Sequence, residues 1–198
     1  MTGAPFLTIG HSTRSLTAFI AFLCAQRVGV LADVRRVPRS RHNPQFVEAM
    51  LAPALALVEI RYVHLSDLGG FRRPWVNSPN GAWRNSSFRG YADYMQTAAF
   101  RVAIDELIAL DRRGTVAVMC AEAVPWRCHR SLIADALLAR GIRVEEVLGT
   151  DTVRAHGLTP FAHVEGDRVL YPVRDVRPLL QAKEREGVAI QLREALNR

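Results

Sequence analysis

The sequence predicts an α/β fold: a mainly parallel sheet flanked by helices, in a three-layer sandwich of Rossmann-like or rhodanese-like type. Three observations predict it. Short apolar runs alternate with segments of helical periodicity, polar turn residues bound the runs, and no internal repeat or linker interrupts them. A chain of 198 residues can bury its own core, so residues 1–198 are read as one domain.

Phe6–Ile9 reads as the first strand, ending in the turn Gly10-His11-Ser12. Ser12, Thr13 or Ser15 can cap a helix running to about Arg27, with Leu16, Phe19, Ile20 and Leu23 on one face and Cys24 in the core. Val28–Val34 is a buried strand closed by Asp33-Val34-Arg35-Arg36, and the segment from Pro38 to Pro44 is loop. A helix is expected from Gln45 to about Val58, kinked or restarted at Pro53. Arg61–Leu65 is a short strand, and Ser66–Ser87 is irregular and long enough to suggest a functional loop. Further on, a helix is expected over Gly90–Asp111, a strand over Thr115–Met119, a loop over Ala121–Arg127 and a helix over Cys128–Arg140. The last clear core strand is Val144–Leu148. Residues 151–198 add a strand at Arg168–Val173 and a helix at Val176–Leu196.

Composition narrows the function classes. With 49% hydrophobic and 23% charged residues the chain is neither disordered nor of membrane type, and no apolar run nears a membrane span. The start lacks a signal-peptide pattern, so the cytoplasm is expected. Three cysteines exclude a disulfide framework. The net charge of +7, nearly all from arginine, is compatible with an anionic ligand: phosphate, nucleotide or nucleic acid. Oligomeric state is not legible.

Open α/β sheets bind ligands beyond the carboxyl ends of their strands. Three strand ends here carry reactive or charged groups: His11 and Ser12; Asp33, Arg35 and Arg36; and Cys120 with Glu122, Arg127, Cys128, His129 and Arg130. Cys120, before a loop that leads into a helix, has the setting of a nucleophilic thiolate, or closes its strand as a small hydrophobe. Glu122 is the acid/base candidate, or a counter-charge to arginine. His129 and His11 are candidate proton carriers. Ser12, Asp33, Arg35, Arg36, Arg127, Cys128, Arg130 and Tyr91 are candidate binding residues. No cofactor is expected. Cys120, Cys128 and His129, with or without His11, could hold zinc, but there is no Cys-x-x-Cys and adjacent Cys-His side chains seldom face one ion, so no metal is expected. Aromatic residues next to arginine (Phe71-Arg72, Trp83-Arg84, Phe88-Arg89, Trp126-Arg127) suit a nucleotide, or cover the core.

Several of these segments carry a resemblance. Thr8-Ile9-Gly10-His11-Ser12, Asp33-Val34-Arg35 with Pro38 and Ser40, Leu68-Gly69-Gly70, Phe88 to Met95, and Cys120-Ala121-Glu122 through Pro125 to Cys128-His129-Arg130 resemble DUF488, a family of uncharacterised bacterial proteins, over about residues 6–150. The resemblance implies no catalytic assignment. A weaker likeness in layout is to rhodanese-like domains: Asp33-Val34-Arg35 ending one strand, Cys120 ending another, Arg130-Ser131 at a helix start and Leu148-Gly149 closing a strand.

Three functions follow as expectations: an enzyme acting on a phosphorylated, nucleotide or nucleic-acid substrate; a non-catalytic nucleic-acid-binding or DNA-maintenance module; and rhodanese-like sulfur transfer at Cys120.

Overall fold

The computed structural model describes residues 4–149 and 152–173. Along the chain run β1 (Phe6–Gly10), α1 (Leu16–Ala25), β2 (Val28–Asp33), α2 (Glu48–Ala56), β3 (Arg61–His64), α3 (Ser86–Tyr94), α4 (Ala98–Ala109), β4 (Thr115–Cys120), α5 (Arg130–Ala139), β5 (Val144–Val147), β6 (Val153–Ala155), β7 (His163–Glu165) and β8 (Arg168–Leu170). The main sheet has the order β3-β2-β4-β1-β5-β6. Its first five strands are parallel, and β6 runs antiparallel along β5. The expected α/β sandwich is the architecture observed.

Both faces of the sheet are covered, which is why its strands read as continuous apolar runs. Alternate residues feed two cores. Leu31, Ala117 and Met119 pack with Phe19, Leu23, Leu51 and Leu55 under α1 and α2. Val30, Ala32, Val116, Val118 and Cys120 pack with Tyr91, Ile104, Leu107 and Leu132 under α3, α4 and α5. The period-2 geometry of a strand therefore aims Cys120 at the α3–α5 face.

Several expectations change in detail. Ser15 is the residue that caps α1, accepting from the Ala18 amide at 3.2 Å. That helix buries Phe19, Phe22 and Leu23, and Cys24 is exposed rather than core, because one further residue turns it about 100° off the buried stripe. Pro53 stays inside α2; the break falls earlier, at extended Val47, which separates α2 from a single 3-10 turn at Pro44–Phe46. The helix expected over Gly90–Asp111 is two helices, since Thr97 leaves the helical conformation and caps α4 through its hydroxyl, 3.2 Å from the Phe100 amide. Cys128 precedes α5 in extended conformation. The strand expected at Arg168–Val173 ends at Leu170 and forms a separate hairpin with β7. The helix expected at Val176–Leu196 lies outside the described residues.

The long segment after β3 is tied down by one buried carboxylate. Asp93 accepts from the Trp75 amide (2.8 Å), the Ser78 hydroxyl (2.6 Å) and the Asn80 side chain (2.8 Å). These bonds satisfy backbone and side-chain donors that an irregular buried segment would otherwise leave unpaired. The segment is thereby held against α3, where its start, Gly70 and Phe71, faces the end of β4. Among the described residues no helix is long and apolar enough to cross a membrane.

Candidate active site

The loops after β1 and β4 are fastened backbone to backbone. The His11 amide donates to the Cys120 carbonyl and the Ser12 amide to that of Ala121, both at 3.0 Å. Gly10 permits this approach: a Cβ there would stand 1.9 Å from the Glu122 carbonyl oxygen. Beside the fastened loops, at the carboxyl ends of β2 and β4, opens a cavity of about 520 Å³. It is lined by Arg35, Arg36, Arg39, Phe71, Phe88, Tyr91, Cys120, Glu122, Arg127, Cys128 and His129, among others. Eight of the twelve residues singled out from sequence thus meet in one place.

The other four do not line it. His11 is buried against Phe46, their ring centroids 4.2 Å apart. Its Nδ1–H donates to the Ser12 carbonyl (2.9 Å) and its Nε2 accepts from Arg35 (3.3 Å), so both nitrogens are committed. Burial holds its pKa down to about 4, against the pull of the Ser12 carbonyl. Ser12 sits in the left-handed region (φ 50°) and does not line the cavity. Asp33 is fully buried and grips the Arg35 side chain at Nε (2.9 and 3.0 Å), while the Tyr62 hydroxyl donates to it at 2.7 Å. Arg35 also donates to the Phe46 carbonyl, so its charge is largely spent on the scaffold. Arg130, fully buried, stands apart: its Nε, Nη1 and Nη2 have no hydrogen-bond partner among the described residues.

At the floor of the cavity lie Cys120, Cys128 and His129, whose ligand atoms are all within 4.8 Å of one another. Adjacent side chains on a regular strand would diverge. Here the backbone turns from extended at Cys128 (φ −131°, ψ 145°) to helical at His129 (φ −58°, ψ −13°), and Cys128 Sγ comes to 3.7 Å from His129 Nδ1. The Val34 carbonyl, 3.2 Å from His129 Nε2, can only accept, so the neutral ring carries its proton on Nε2 and turns the Nδ1 lone pair toward the thiols. Burial keeps this imidazole neutral by lowering its pKa. Gly70 lies over the same edge, where a Cβ would be 3.1 Å from Nδ1.

The two thiols are set apart electrostatically. Donation from Cys128 draws Cys120 down to about 5 against the opposing effect of burial, helped by the Arg130 charge and the Glu122 amide. The same hydrogen bond, with burial, pushes Cys128 well up. The pair thus offers a thiolate beside a thiol.

Arg39 and Ser87 are cavity residues that the sequence did not single out, while Phe71 and Phe88, which it offered only as aromatic neighbours of arginine, line the cavity too. Phe71 carried a signal: its neighbour Arg72 and the preceding glycines marked the loop. Its left-handed backbone (φ 61°) and 89% exposure hold an apolar ring in solvent at the mouth. Trp83, by contrast, is a core cover, stacked on Phe88 and edge-on to Tyr171.

No curated protein and no solved structure matches the chain. One family model does, the domain of unknown function DUF488, over residues 15–137, which is more than half the chain and spans the elements from α1 to α5 that build the cavity. The chain belongs to the DUF488 family.

Proposed function

We propose that the protein is an enzyme acting on a phosphate-bearing substrate, with Cys120 as its nucleophile. The observation that carries this reading is the position of Cys120: the last residue of a central parallel strand, on the floor of a cavity that also presents Arg36, Arg39 and Arg127. Arginine forks hold the non-bridging oxygens of phosphate. The buried guanidinium of Arg130, without a hydrogen-bond partner among the described residues, favours negative charge on Cys120.

The Cys120 thiolate attacks phosphorus. An S–P bond forms as the P–O bond to the leaving group breaks, and a proton relayed through Glu122, on the cavity wall, goes to the departing oxygen. Water then cleaves the S–P bond, its proton relayed back through Glu122 and the thiolate returned to Cys120, and phosphate leaves. Phe71 and Phe88 offer faces to an aromatic or apolar portion of the substrate, as in a nucleotide.

The test uses the full chain, reduced and with chelator present, against phosphorylated small molecules, nucleotides and a terminally phosphorylated oligonucleotide. Phosphate release is expected, and Cys120→Ser lowers kcat by about a thousand-fold or more. Turnover that survives C120S, or no Cys120-dependent release from any of these, overturns the reading.

A second reading, a nucleic-acid-binding module, draws on the exposed rings of Phe71, Trp75 and Trp126 beside arginines. It expects oligonucleotide affinity that falls steeply with salt and survives C120S. Salt-insensitive binding removes it.

A further inference from the structure

We propose that Cys120, Cys128 and His129 form a binding site for a thiophilic divalent cation, zinc by its chemistry, with the fourth coordination position open to the cavity. The inference goes beyond the proposed function but uses its side chains, since a bound ion occupies the sulfur lone pair that Cys120 needs for attack. Metal-loaded protein is therefore held off, and metal-free protein is competent.

Four features of the structure point this way. The donor set, two sulfurs and one imidazole nitrogen, is one zinc takes with three protein ligands and an exchangeable fourth. Tetrahedral zinc would place its sulfurs about 3.8 Å apart and sulfur about 3.5 Å from nitrogen. The three donor atoms already lie within 4.8 Å of one another, and Cys128 Sγ stands 3.7 Å from His129 Nδ1, so the closure needed is small. His129 is oriented as metal-bound histidines are, its far nitrogen tied to a carbonyl, here Val34 at 3.2 Å, and the near lone pair facing the sulfurs. Finally, all three residues line the cavity, so a fourth ligand can reach an ion they hold. Gly70 leaves the nitrogen edge uncovered.

Charge is consistent with an exchangeable anion at that position. Two thiolates offset the ion, the thiol proton of Cys128 leaving on binding, while Arg130 adds a buried positive charge beside them. Water as hydroxide, or an oxygen of phosphate, meets the remaining demand.

Reduced, chelator-treated full-length protein is titrated with cobalt(II). Sulfur-to-cobalt charge-transfer bands in the near ultraviolet and ligand-field bands of a tetrahedral ion are expected, saturating at one equivalent and bleached by zinc. Cys128→Ser and His129→Gln, each checked for folding by circular dichroism, weaken binding by about ten-fold or more. Cys24→Ser, at an exposed cysteine remote from the site, leaves the spectrum unchanged. Absence of the bands, or bands that persist in both C128S and H129Q, overturns the inference. Folded wild-type protein carries the first arm even if a variant does not fold. The two proposals fail separately: Cys120-dependent turnover in chelator without cobalt bands sinks only the metal site, and cobalt bands without turnover sink only the enzyme.

Discussion

Helix α5 carries two buried charges five residues apart that are treated in opposite ways. Asp135 is fully buried and satisfied: its carboxylate accepts from His156 Nε2 (2.9 Å), the Thr159 amide (3.1 Å), the Thr159 hydroxyl (2.6 Å) and the Tyr171 hydroxyl (2.7 Å). His156 passes the interaction on to Glu146 (2.7 Å), which Arg154 also grips. Arg130, equally buried, has three nitrogens without a hydrogen-bond partner among the described residues. A network in which every atom is paired fastens structure, here residues 153–171 onto the sheet. A buried cation without a partner among the described residues leaves a positive charge that water or an anion could satisfy. The difference separates the clamp from the site although one helix supplies both.

The sharpest way to break the clamp is Asp135→Ala. It strands His156, Tyr171 and Thr159, and a loss of roughly 3–5 kcal/mol in denaturant-derived stability is expected. A loss below 1 kcal/mol would mean the network is slack. Arg130→Met tests the other half of the contrast. Removing an unpartnered buried charge for an apolar chain of similar length leaves stability unchanged or raises it, by up to about 3 kcal/mol. Release of phosphate from the proposed substrate is nevertheless expected to fall. Marked destabilisation by R130M would show that the guanidinium has a structural role.

A smaller effect distinguishes the two regions by pH. Burial alone would pull His156 down, but its hydrogen bonds to Asp135 and Glu146, and their charges, lift its pKa from 6.5 to about 9. The stability this supplies is full below pH 6.5, where folded and unfolded chains both hold the proton. It is lost as pH rises through about 9. The urea midpoint should decline across that window, and His156→Gln should flatten the decline; an unchanged slope in H156Q would assign it elsewhere. The smallest effect belongs to Cys24→Ser, expected within about 0.5 kcal/mol of wild type because the side chain is exposed.

The helix positions that misled the sequence reading are instructive. Cys24 follows Leu23 on an apolar helix, and composition alone could not say which edge of a broad stripe would face solvent. The break at Thr97 interrupts what reads as one helix, and the capping chemistry of threonine is the local signal for it. β6 is three residues long with Arg154 at its centre, stabilised by pairing with β5 rather than by its own pattern.

By itself the sequence determined the order of strands and helices, since apolar runs and helical periodicity are local properties, and it marked the polar strand ends, since reactive residues at the close of β2 and β4 stand out one by one. Tertiary structure decided which of them meet. His11 and Asp33 were drawn under the surface to hold Arg35, while Arg39 and Phe71 were carried in from loops. The convergence of Cys120, Cys128 and His129 came from a single backbone change at the start of α5 and from one carbonyl, that of Val34, on another strand's extension. Local patterns set direction along the chain. Whether two side chains come within bonding distance depends on packing between segments that the chain separates, and no residue-by-residue property encodes that distance.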